Sequence, residues 1–86
     1  MEKMQRFARR SYGDILTKLP LVELAGQNRV LIENHQGVLA YSTKEIQIKV
    51  CYGCISIRGE ELQLLEMSRI QLVICGRIDG LQVFRR

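Results

Sequence analysis

Cys51-Tyr52-Gly53-Cys54 places two thiols in a C-x-x-C spacing, with Cys75 and the single histidine, His35, elsewhere in the chain. Such a pair could do redox chemistry or hold half of a zinc site. A redox pair needs a helix N-terminus to stabilise its thiolate, and this one sits where the pattern predicts a β-turn. A structural zinc needs four ligands, commonly as two paired clusters, and Cys75 and His35 stand alone. With Tyr52-Gly53 as a two-residue turn, Cys51 and Cys54 are expected to face each other across a hairpin. They are then small residues of a strand pair, with thiols that stay reduced in a cytoplasmic chain. His35 lies two residues beyond Glu33, but acid–base work needs a nucleophile or metal beside the couple, so turn polarity is the simpler account. Phosphate-cradling loops, nucleophile elbows and His-x-x-x-His pairs do not occur. The expectation is a protein that is not an enzyme, with no cofactor, no metal and no catalytic residues.

The positions of these residues are set by the elements around them. Eighty-six residues make one domain, and 47% apolar residues are ample for a core. From Leu19 onward the hydrophobic period is two. Leu21–Leu24 is a first candidate strand, Arg29–Glu33 a second and Val38–Tyr41 a third, with turns at Gly26–Asn28 and Asn34–Gly37. The cleanest alternation is Glu45-Ile46-Gln47-Ile48-Lys49-Val50, which suits an antiparallel sheet with one wet side. Cys54–Arg58, Leu62–Leu65, Ile70–Cys75 and a last segment through Phe84 follow, parted at Gly59-Glu60-Glu61, Met67-Ser68-Arg69, Gly76 and Gly80. The reading is a mainly β domain over residues 19–86: an antiparallel meander, roll or small sandwich of about eight short strands. A β-solenoid is the alternative, though strict repeats are absent. One echo stands out: Ile57-Arg58-Gly59 then Leu62-Gln63-Leu64, against Ile74-Cys75-Gly76 then Leu81-Gln82-Val83.

Charge is concentrated at one end. The formal +4 comes mostly from residues 1–18, where Lys3, Arg6, Arg9, Arg10 and Lys18 oppose Glu2 and Asp14. Met4, Phe7 and Ala8 sit at helical spacing, so this leader reads as a short basic amphipathic helix or a tail. It could lie on an anionic membrane, dock on an acidic partner, fold back on the sheet or stay solvated. Arg6, Phe7, Arg9 and Arg10 are the candidate contact residues. No run approaches the roughly 20 apolar residues of a membrane span, and no apolar segment follows the basic residues as in a signal peptide, so the expected place is the cytoplasm. Nucleic acid is an unfavoured partner: the β region is nearly neutral, and Phe7, Tyr12, Tyr41, Tyr52 and Phe84 do not cluster.

Leu19-Pro20, Gly26, the run Val30-Leu31-Ile32-Glu33-Asn34-His35-Gln36-Gly37-Val38-Leu39-Ala40-Tyr41, Ile55-Ser56-Ile57-Arg58-Gly59 with Leu62, and Ile74-Cys75-Gly76-Arg77-Ile78 resemble successive landmarks of the YabP/YqfC-like family of bacterial sporulation proteins. The basic leader before Leu-Pro is more similar to the YqfC branch. Cys51 and Cys54 depart from the family's usual pattern, which favours treating them as incidental. The resemblance implies a role in spore-envelope assembly in the mother cell, with no enzymatic activity to carry over. The partners it suggests are a protein, including an integral membrane sporulation protein, with peripheral contact at the forespore-facing membrane. The runner-up is a self-assembling structural β protein of the spore coat, a homo-oligomer. Edge strands are the natural contact surfaces, and the expected edges are Leu21, Val22 and Leu24 at one end and Gln82, Val83 and Phe84 at the other.

Overall fold

The computed structural model describes residues 19–86, so Arg6, Phe7, Arg9 and Arg10 and the expected leader helix lie outside the described residues. Six strands form: β1 (Leu21–Ala25), β2 (Arg29–Glu33), β3 (Val38–Tyr41), β4 (Glu45–Val50), β5 (Gly53–Met67) and β6 (Gln71–Arg85). All pairings are antiparallel, in the order β1-β2-β6-β5-β4-β3. The architecture is all-β, as the alternation predicts. The strand count differs because Gly59–Glu61, Gly76 and Gly80 do not end strands. They lie within β5 and β6, each 15 residues long.

Those two strands bend instead. Register shifts fall at Arg58/Gly59, Glu60/Gln63 and Leu64/Glu66, and Glu61 takes φ 53° within them. A bulge bends and twists a strand, so each long strand is two straight segments at an angle. Counted by segment there are eight; counted by hydrogen-bond continuity there are six.

The bend folds the sheet onto itself. Val30 and Ile32 of β2, Ile46, Ile48 and Val50 of β4, Ile55, Ile57 and Leu62 of β5, and Leu72 and Ile74 of β6 are fully buried in one cluster. A flat sheet without covering helices would leave that face wet; here the β3-β4-β5-β6 half covers the β1-β2-β6-β5 half.

The two halves are related by an internal twofold. Val30↔Ile74 and Ile32↔Leu72 pair across β2 and β6, and Ile46↔Ile57 and Ile48↔Ile55 pair likewise across β4 and β5. The turns at the bend match too. Gly76 N donates to Asn28 O (3.1 Å) and Ile78 N to Gln27 O (2.8 Å), while Gly59 N donates to Lys44 O (3.0 Å) and Leu62 N to Thr43 O (2.8 Å). The first half of the sequence echo, Ile57-Arg58-Gly59 against Ile74-Cys75-Gly76, is this twofold seen in one dimension; beyond it Leu62 is matched by Ile78. The two glycines let the strands cross: a Cβ on Gly59 would lie 1.8 Å from Arg77 O, and one on Gly76 2.6 Å from Glu61 O.

The twofold is broken at the flanks. On one, Tyr41 Oη accepts from Leu64 N (3.1 Å), tying β3 to the second half of β5. The matching residues on the other flank are Ala25 and Leu81, and alanine has nothing to reach with. Leu24, Leu81 and Val83 remain 57%, 39% and 43% exposed there.

Candidate interaction surface

The polar signature Asn34-His35-Gln36-Gly37 links β2 to β3, and its side chains are committed to holding chain segments together. Asn34 adopts φ 63°, a conformation asparagine tolerates because its short side chain can bond locally. Its N–H donates to Ile70 O (2.6 Å) and its Nδ2 to Leu19 O (2.9 Å). His35, 8% exposed, accepts from Gly37 N at Nδ1 (3.0 Å), so Nε2 carries the proton and donates to Ser68 O (2.8 Å). Gln36 N donates to Lys49 O, and Lys49 N to Gly37 O. The crossover thus gathers the entry to β1, the edge of β4 and the β5–β6 turn. Both ring nitrogens are spent, which leaves no acid–base couple with Glu33.

The cysteine hairpin differs from the expected register. The turn is Cys51-Tyr52, closed by Val50↔Gly53, so Cys54 faces Lys49 and not Cys51. The two registers differ by two residues, which keeps every side chain on its face, so alternation alone does not separate them. Gly53 is needed elsewhere: with φ 156°, its α-carbon lies against Phe84 O, 2.0 Å from where a Cβ would stand. Cys75 pairs with Gln63, towards the opposite end of β6 from the Phe84 that faces Cys54. All three thiols are free and half-buried. Among the described residues no three His, Cys, Asp or Glu side chains gather at metal-binding distance.

The outer face of β4 and β5 carries one polar cluster. Ser56 is fully buried and its hydroxyl donates to Glu45 Oε2 (2.6 Å); Gln47 Nε2 donates to the same oxygen (3.2 Å), and Arg58 Nε lies 3.7 Å away. The Ser56 hydroxyl, then Gln47 and Arg58, hold the Glu45 carboxyl below its usual value of 4.5. The folded state therefore binds this proton less readily than the unfolded chain. Its stabilising effect is whole above the ordinary carboxylate range and is lost as pH falls through the lowered folded value. Urea midpoints measured from pH 7 to pH 3 are expected to fall less steeply for Glu45→Gln than for the parent.

The remaining surface is made of strand edges. β1 is outermost beside β2; Leu21 and Leu24 are exposed, and Val22 packs against the core. β6 is an interior strand only in part. β2 covers Gln71–Cys75, whereas Gln82, Val83 and Phe84 pair with Ser56, Ile55 and Cys54 of β5 on one side and with no described strand on the other. Reading the sequence missed that this free stretch begins at Asp79, because Gly80 reads as a break; the signal available was the unbroken run of alternating residues after it. No described helix is long and apolar enough to cross a membrane.

Two comparisons with known proteins bear on this arrangement. Over 66 residues the chain is 27% identical to the uncharacterised protein YqfC of Bacillus subtilis, covering 77% of this chain and 71% of that protein. Residues 18–84 match the YabP family, a span that contains the Asn34–Gly37 crossover, both crossing glycines and all six strands save the last residue of β6. The chain belongs to the YabP family.

Proposed function

We propose that this chain is a non-enzymatic sporulation protein that acts by protein contact during mother-cell assembly of the spore envelope, docking on a membrane protein there. Membership of the YabP family and similarity to YqfC support the setting. The observation that carries the contact reading is where the polar and apolar groups lie. The signature's polar atoms are spent on internal hydrogen bonds, while large apolar side chains stand uncovered along strand edges. The basic leader gives such a surface an address: three arginines near an anionic membrane contribute about 3 kcal/mol together, roughly a hundredfold in partitioning. Co-sedimentation with vesicles containing anionic lipid tests this. The full chain is expected to bind at low salt and to release as salt rises, and a chain with Arg6, Phe7, Arg9 and Arg10 all changed to alanine is expected to stay in solution. Equal binding by both chains would remove the leader from the proposal. A second reading, self-assembly in the coat, is favoured by the free edge of β6.

A further inference from the structure

We propose that two copies of this chain pair antiparallel along Gly80–Phe84, with the twofold axis at Gln82, joining their sheets into one. The proposal stands apart from the sporulation reading and concerns only what this edge fits.

The edge is open and has the right polarity. Arg86 N donates to Tyr52 O, so the backbone groups of the even-numbered residues Phe84, Gln82 and Gly80 point towards β5. Those of Leu81, Val83 and Arg85 point away from it, because backbone groups alternate along a strand. They meet no described strand. Every residue from Asp79 to Arg86 is exposed. The register shift at Arg58/Gly59 leaves Asp79 as a bulge opposite no residue of β5, and from Gly80 to Arg85 the pairing is regular.

The other edges are blunted. Pro20 and Glu23 bracket the start of β1, β3 is short and shifts register between Val38 and Ala40, and the second half of β5 carries a shift at Leu64/Glu66. Short strands, bulges, proline and inward charge are the devices that discourage pairing. Gly80–Phe84 has none of them.

The segment is also complementary to itself. Laid antiparallel about Gln82, Leu81 and Val83 of one copy meet Val83 and Leu81 of the other as hydrogen-bonded pairs, through backbone groups that are free in the single chain. Asp79 and Arg85 take no part in the pairing: the carboxylate of the first is held by Arg77 (3.1 Å), and the second lies over the Tyr52 ring. Gly80, beside which the space is open, meets Phe84 on the outer face; an aromatic ring over a cross-strand glycine covers the backbone that glycine leaves bare. Moving the axis by half a residue would set outward-pointing backbone groups against groups that point towards β5. Moving it by one, to Val83, would put Arg85 opposite Leu81 and part Phe84 from Gly80. The contact is isologous, so it closes at two copies and does not grow. It also covers part of the flank that Ala25 leaves open, since Leu81 and Val83 lie on the core-facing side there.

Sedimentation of the full chain, from low micromolar to millimolar, is the test. The parent is expected to pass from monomer to dimer. Val83→Lys is expected to weaken the dimer about tenfold or more, and Val83→Pro to abolish it, the lost N–H being one that faces the free edge. Far-UV circular dichroism of both variants shows whether the fold is kept. A third variant is independent of their stability: Gln82→Cys stands opposite itself across the axis in a non-hydrogen-bonded pair, about 4.5 Å between α-carbons. It is expected to form a disulfide-linked dimer under mild oxidation that the parent, with its three native thiols, does not form. A strict monomer across the range, or a parent dimer that Val83→Lys leaves intact and Gln82→Cys does not cross-link, would overturn the proposal.

Discussion

Gly59→Ala is expected to cost on the order of 3–5 kcal/mol, enough to unfold much of a small domain at room temperature. The reason is steric and has no soft escape. The new methyl would stand 1.8 Å from Arg77 O and 2.9 Å from Arg77 C, and the backbone it meets is fixed by the β5–β6 ladder. The strands would have to part at the one place where they cross from one half of the sheet to the other. Gly76→Ala adds a φ of 131° to a similar overlap with Glu61 O and is expected to behave alike. Gly80→Ala is the control: nothing lies within 4 Å of that methyl, and the change is expected to stay within about 0.5 kcal/mol. Urea denaturation followed by far-UV circular dichroism reads all three. Similar midpoints for Gly59→Ala and Gly80→Ala would show that the crossing is looser than described.

The second large effect is expected at His35. Changing it to alanine removes the acceptor of Gly37 N and the donor to Ser68 O in a site almost closed to water. Two backbone groups lose their partners together, a cost of roughly 2–4 kcal/mol. Local opening should follow from the geometry. Hydrogen exchange is expected to speed first at Gly37, and at Asn34, whose N–H is held by the neighbouring Ile70 carbonyl. Midpoints unchanged from the parent would mean that water replaces the imidazole without loss, and would return the turn to a purely local role.

The parts legible in the sequence were those decided by nearest-neighbour chemistry. Glu45–Val50 alternates so regularly that only one face could be buried, and β4 is that segment. Gly26 and Asn34–Gly37 marked turns because glycine and asparagine accept positive φ, and both regions show it. Parity set the limit. A glycine at a crossing and a glycine at a turn look the same in one dimension, which is why Gly59 and Gly76 read as ends of strands. The one-step difference at Cys51-Tyr52 arose likewise, since pairings two residues apart bury the same isoleucines. The neighbour of β2 was out of reach because β6 lies far along the chain, and local pattern carries no information about that distance. For the contact surface, β1 was visible as a first strand. Gln82–Phe84 was named as an edge because it comes last; that the first part of the same strand is covered was not legible, because it depends on β2 pairing with Gln71–Cys75.

The same long-range pairing orders events in time. A ribosome makes β1 and β2 first, and they can pair with each other at once. β3, β4 and β5 can then zip together as successive hairpins. Val30 and Ile32, however, gain their facing strand only when Leu72 and Ile74 have been synthesised. Closing that wide loop is slow compared with closing the hairpins. Until then the β1–β2 hairpin waits with the side that carries Val30 and Ile32 uncovered, and the hairpin that is made first is the last to be built in.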